Sequence, residues 1–175
     1  LGDVYKRQDV YYNNVDLLMC GTGYLAVPSQ PTKYGYIFKD CTIKDGSTAG
    51  INGKYKLGRP WGKGTPIALF IDTKMEVIPT AAGWDEMSGG YPKRFAEYNS
   101  TTATGTAVDL SGRKQVYDAY DAKDGDNYTN RRNETAESPV LTAEEAAFYT
   151  LETVMGGDDD WDPTCLLYTS DAADD

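Results

Sequence analysis

Residues 12–17 (YNNVDL), 38–43 (FKDCTI) and 70–75 (FIDTKM) share one six-residue pattern: aromatic, any residue, Asn or Asp, small or β-branched, polar, aliphatic. Their starts lie 26 and 32 residues apart, a near-regular period. Around them, β-branched and aromatic clusters alternate with Gly, Pro, Asn and Asp, the mark of short strands closed by turns. A period in this range predicts units that each bury an apolar side on the next. No helical pattern separates these strands, so the repeat points to an all-β chain. It suggests a single-stranded parallel solenoid, with Val15, Cys41 and Thr73 aligned along its interior. An ordinary sandwich with look-alike strands is the alternative that the repeat alone leaves open.

Downstream the character changes. Residues 112–138 are polar and charged, and read as an excursion from the core. Residues 141–155 carry a helix pattern. Thr142 is placed to cap it, Glu145 completes a capping box, and Gly156 with Gly157 ends it. Ala146, Tyr149 and Val154 fall on one face, so the helix is expected to dock on the strands and shield their edges.

The two ends read as foreign. Residues 1–8 (LGDVYKRQ) and 165–174 (CLLYTSDAAD) can be back-translated into DNA strings. The first string is largely the reverse complement of the start of the second, and both resemble a transposase adapter from sequencing-library preparation. Residues 1–8 and 165–175 are therefore set apart as adapter-derived, leaving 9–164 as the natural segment, truncated on its N-terminal side. Setting aside their charges of +1 and −3 turns the chain's −10 into −8.

The 175 residues suit one domain or part of a larger one. No apolar run reaches the ~18–20 residues of a membrane-spanning helix. A net negative balance argues against a nucleic-acid partner, whose phosphates demand clustered cations. There is no histidine, which excludes Ser-His-Asp and Cys-His nucleophiles, His-bearing zinc sites and imidazole acid–base work. Carboxylates are left to move any protons. Cys20 and Cys41 have no spacing motif and read as two unpaired thiols. The acidic run 121–127 fails the EF-hand register, because Tyr120 would stand where the first carboxylate belongs. Residues 158–160 read as a solvated acidic turn, and Asn99, Asn127 and Asn133 head short N-x-S/T patterns.

Chemistry concentrates in residues 52–64 (NGKYKLGRPWGKG), where Lys54, Lys56, Arg59 and Lys63 stand without an acid. Pro60 fixes its own φ and biases Arg59 towards extended backbone, restraining Arg59 and Trp61 together. A fixed guanidinium can hold a carboxylate bidentately and keep it ionised, and an adjacent indole is a platform for a sugar ring. Together they suit an anionic carbohydrate. A solvated basic loop with Trp61 turned inward is the plain alternative. In residues 83–87 (GWDEM), Trp84 reads as core, while Met87 is either filler or an adaptable apolar contact.

The run LGRPW at 57–61 resembles the signature of pectin methylesterases, the pectinesterases of carbohydrate esterase family 8. Other pieces follow in that family's order: DVYYNNVDL at 9–17, YLAVPS at 24–29, GYIFKDCTI at 35–43, the bacterial-type loop GWDEMSG at 83–89 and FAEYNS at 95–100. Residues 141–163, with their helix and WDP ending, resemble its C-terminal closure. The likeness spans nearly all of 9–164. It implies a right-handed parallel β-helix with a docked C-terminal helix. It also implies hydrolysis of the methyl esters of polygalacturonate to pectate and methanol. In that family one Asp attacks the ester carbonyl, a second acts as acid and then base, a Gln helps stabilise the oxyanion, and an Arg holds the nucleophile.

The resemblance carries this Arg over to Arg59 as a catalytic residue, and the substrate-binding positions to Trp61 and Met87. It implies no cofactor and no metal, pectin (methyl-esterified homogalacturonan) as the partner, a monomeric complete protein, and a secreted or periplasmic location. The two Asp residues and the Gln lie upstream of the match, and nothing before Asp9 supplies them. Asp9, Asp16 and Asp40 are therefore not assigned as nucleophile, and the chain itself is expected to be inactive. Two other readings remain: a lyase-like pectin-active parallel β-helix, and a non-catalytic carbohydrate-binding module using Trp61 and the basic island.

Overall fold

The computed structural model describes residues 8–156. Nearly all of both adapter-derived ends, the Gly157 half of the helix stop, the acidic turn at 158–160 and the WDP ending lie outside the described residues. The first seven strands are β1 (Val10–Asn13), β2 (Asp16–Met19), β3 (Tyr24–Ala26), β4 (Tyr36–Lys39), β5 (Thr42–Asp45), β6 (Lys56–Gly58) and β7 (Ile67–Ile71). Then come β8 (Lys74–Met75), β9 (Arg94–Tyr98), β10 (Thr101–Thr102), β11 (Val116–Ala119), β12 (Ala122–Asp124), β13 (Asn127–Thr129) and β14 (Arg132–Thr135). Helices α1 (Ala143–Phe148) and α2 (Leu151–Met155) follow. The chain is β-rich, as the strand patterning predicts.

Three parallel ladders build the body. One runs β1-β4-β7-β9 and a second β2-β5-β8-β10. A third pairs β3 with β6 and is extended by a parallel bridge from Gly58 to Trp84. The hexads align in register: Tyr12 faces Phe38 and Phe38 faces Phe70. At the third hexad position Asn14, Asp40 and Asp72 have φ of 53°, 53° and 52°. Asn and Asp tolerate this left-handed conformation, which turns the chain from the first ladder into the second. Phe70 in turn faces Glu97, and Asn99 has φ 51°. Residues 97–102 (EYNSTT) are thus a fourth copy, hidden in the sequence because Glu97 takes the aromatic place.

The side chains of the repeat stack. The ring of Tyr12 lies 4.7 Å from that of Phe38, and Phe38 4.4 Å from Phe70, stacked with nearly parallel planes. Trp84 tilts against Phe70 and Phe95. Of the expected interior column, Cys41 and Thr73 are buried, but Val15 is 37% exposed. Val15 lies beside β2, the last strand of its ladder among the described residues, and only a further neighbour would cover it. Ser100 is the buried fourth member that the sequence reading lacked.

On the opposite face of the first ladder, Ile37, Leu69 and Ala96 align and pack with Leu141, Ala146 and Val154. The expected docking face is therefore present, but the single helix is not. The Thr142–Glu145 capping box starts α1, the chain leaves helical geometry at Tyr149 (φ −85°, ψ 68°), and Thr150 caps α2 by accepting from the Thr153 N–H. A threonine that can cap competes with helix continuation, which is the reason for the break.

The polar excursion also needs correcting. Residues 112–138 fold into two antiparallel pairs, β11 with β14 and β12 with β13, and only the second pair stands away from the body. Tyr117, Ala119 and Arg113 are buried. Arg113 Nε donates to Glu97 Oε1 at 2.5 Å, and its Nη1 donates to the Thr80 and Ala81 carbonyls. The Ser100 hydroxyl donates to Glu97 Oε2 at 2.8 Å. Charge in the sequence misled here because each buried charge has its partner inside.

Candidate functional site

Three loops leave the same end of the third ladder: residues 27–35 after β3, 59–66 after β6 and 85–93 after Trp84. The ladder's hydrogen bonding continues into them. Arg59 N–H donates to the Ala26 carbonyl at 3.1 Å, Trp61 N–H to Pro28 at 2.9 Å, and Asp85 N–H to Gly58 at 2.9 Å. Glycines permit the close approach. A Cβ on Gly58 would stand 2.5 Å from the Ala26 carbonyl oxygen, and one on Gly90 would collide with the Gly62 carbonyl. The bend closed by the Met87–Gly90 bridge is thereby pressed against Gly62.

Arg59, Trp61 and Met87 consequently sit on two touching loops. Pro60 is buried while Arg59 is half-buried and Trp61 is 42% exposed. This alternation turns Arg59 and Trp61 to the same outer side, as extended backbone requires of residues two apart. Met87 is half-buried in the neighbouring bend. Trp84, read as core, is fully buried.

The guanidinium of Arg59 lies over the ring of Tyr24, with Cζ 4.1 Å from the centroid. Its Nε is buried and has no hydrogen-bond partner, and no carboxylate among the described residues pairs with it. Tyr24 in turn donates its hydroxyl to Asp85 Oδ2 at 2.8 Å, and Lys56 Nζ meets the same oxygen at 2.7 Å. Burial pushes the Asp85 carboxyl up, but the Lys56 ammonium, the Glu86 N–H and the Tyr24 hydroxyl outweigh it and hold the group below the usual carboxylate range. Within the basic island only Lys56 has a carboxylate partner among the described residues, while Lys54 and Lys63 stay exposed. Lys56 is paired, Lys54 donates to the Gly50 carbonyl, and Lys63 donates to the Asp121 carbonyl.

The polar surround was missed from sequence. Tyr24 and Asp85 are 61 positions apart, and only the ladder brings them together. Glu86 accepts from the Asp118 N–H and pairs with Lys114, tying the Met87 bend to β11. Tyr120 packs on Gly89 beneath Lys63. Chemically, the site offers a cation with an unused buried donor and a half-exposed indole on a closely packed loop pair. Comparisons with family models, with curated proteins and with solved structures find no match for this chain.

Proposed function

We propose that the chain is the C-terminal portion of a bacterial-type pectin methylesterase, that its three ladders are successive sides of a right-handed parallel β-helix, and that the complete protein demethylates pectin outside the cytoplasm. The observation that carries this reading is the guanidinium of Arg59, held over Tyr24 with a buried, unpartnered Nε and flanked by Trp61. A guanidinium so placed is suited to keep a carboxylate ionised as a nucleophile. The in-register alignment of Tyr12, Phe38, Phe70 and Glu97 supports the β-helix, since a solenoid repeats one position per turn.

In the proposed reaction an aspartate supplied by the upstream part of the protein attacks the ester carbonyl. A second aspartate gives its proton to the departing methoxide, then takes one from the water that hydrolyses the acyl-enzyme. Arg59 holds the first aspartate, while Trp61 and Met87 bear the sugar rings. The DNA upstream of Asp9 decides the matter: a continuous frame should encode both aspartates, and the complete protein should release methanol from esterified pectin. Arg59→Ala should abolish turnover while leaving some pectin binding, and the 175-residue chain alone should release no methanol above a blank. Methanol release by this chain would overturn the reading. Pectin binding by the complete protein without turnover would favour a binding module, and calcium-dependent release of unsaturated products would favour a lyase.

A further inference from the structure

We infer that Tyr24 is a positioning residue for Arg59: its ring fixes the guanidinium while leaving the Nη donors, which have no acceptor among the described residues, to an incoming carboxylate. The inference rests on the proposed function for what the guanidinium is held ready to meet, but not for the hold itself.

A guanidinium can be immobilised in two ways. Acceptors can engage its donors, which lie in the plane of the group, or an aromatic ring can take its flat face. The chain uses both. Arg94 donates to both Glu145 oxygens, at 2.6 and 3.0 Å, and also to the Ser138 and Val140 carbonyls. Arg113 is held by Glu97 and the carbonyls of Thr80 and Ala81. Those two groups have their donors taken. Arg59 is held differently, with its charge over the Tyr24 ring at 4.1 Å and its buried Nε unused.

The ring itself cannot swing away. Its hydroxyl is anchored on Asp85 Oδ2, which also receives Lys56 Nζ, while Asp85 Oδ1 accepts the Glu86 N–H at 2.9 Å. Tyr24 and Lys56 face each other in the register of β3 and β6, and Asp85 follows Trp84 on the same ladder. Strands β3 and β6 and the loop that follows the Trp84 bridge thus each give one member of the anchor. None of the three donates to Arg59 or accepts from it.

Phenylglyoxal labelling of arginines in the 175-residue chain, read by peptide mass, tests this at micromolar concentration, with Arg113 as the internal reference. Tyr24→Leu should label Arg59 about fivefold faster, the loss of roughly one ring–cation contact, and Tyr24→Phe, which keeps the ring but loses its hydroxyl anchor, should label it only about two- to threefold faster. Asp85→Asn should label Arg59 about two- to threefold faster through the slackened ring. Acetate, the smallest stand-in for an aspartate carboxylate, should slow Arg59 labelling in wild type and Tyr24→Phe but not in Tyr24→Leu. Wild-type labelling of Arg59 in Tyr24→Leu overturns the inference. Should Arg113 also label faster there, the fold has loosened and Asp85→Asn decides, a wild-type rate in it being fatal. A Tyr24-dependent rate that acetate leaves untouched would uphold the hold and count instead against the esterase role of Arg59.

Discussion

The parallel ladders have two ends, and the chain finishes them differently. At the first end β1, β2 and β3 each have one neighbour among the described residues, and Tyr12, Val15 and Leu18 are 37%, 37% and 61% exposed. At the last end the aromatic column closes on the Glu97–Arg113 pair, with Trp84 and Phe95 fully packed around it. There β9 gains a bridge to Val140 and β10 an antiparallel bridge to Ala107. A repeat specifies how one unit pairs with the next, but it carries no instruction for stopping. Stopping takes separate residues, here a buried charge pair and a returning segment that breaks the pattern.

The largest effect is expected where the closed end is opened. Arg113→Ala leaves the Glu97 carboxylate buried without its cation, which should cost about 3–5 kcal/mol of unfolding free energy in a urea titration. Replacing both, Glu97→Phe with Arg113→Met, continues the aromatic column and should recover most of that loss, because a buried pair gains little over well-packed apolar groups. A double variant as unstable as the single one would show that the ion pair does more than end the column.

A smaller effect belongs to the clasp that holds α1 near β9. The Arg94 guanidinium, and then the N–H of the Thr142 cap, push the Glu145 carboxyl down to about 2 from its ordinary 4.5. A depressed folded-state value means that the carboxylate's contribution is complete above the ordinary value and fades as pH falls towards about 2. Thermal melts between pH 5 and pH 2 should lose part of their acid sensitivity in Glu145→Gln, with little change at neutral pH beyond a modest drop. An identical acid limb in both proteins would discount the clasp.

The smallest effect on stability is expected at the open end, where the consequence is association. Val15→Lys with Leu18→Lys should shift light-scattering mass towards the monomer and change the melting free energy by no more than about 0.5 kcal/mol, because these side chains already face solvent. Equal association of the variant and the parent would place the contact elsewhere.

These boundaries also explain what could be read in advance. The hexads were legible because the left-handed Asn or Asp and the stacked aromatic are local demands that each copy meets by itself. The fourth copy was not, since Glu97 answers to Arg113, 16 positions away, and not to its own neighbours in the chain. The helix was legible at its Thr142 cap, but Thr150 gave a second cap that was read as helix interior. At the candidate site, Arg59, Trp61 and Met87 stood out by motif, and they do lie on adjoining loops. Tyr24 and Asp85 did not stand out, because a ring under a guanidinium and its distant anchor leave no spacing to read.

Strand β7 is buried at all five positions, with Ala68 and Phe70 in one apolar cluster and Ile67, Leu69 and Ile71 in the other. The two cores therefore share a single backbone segment as their common wall. Heat cannot dissolve one and spare the other, and the amide protons of β7 should be the last to be traded for deuterium.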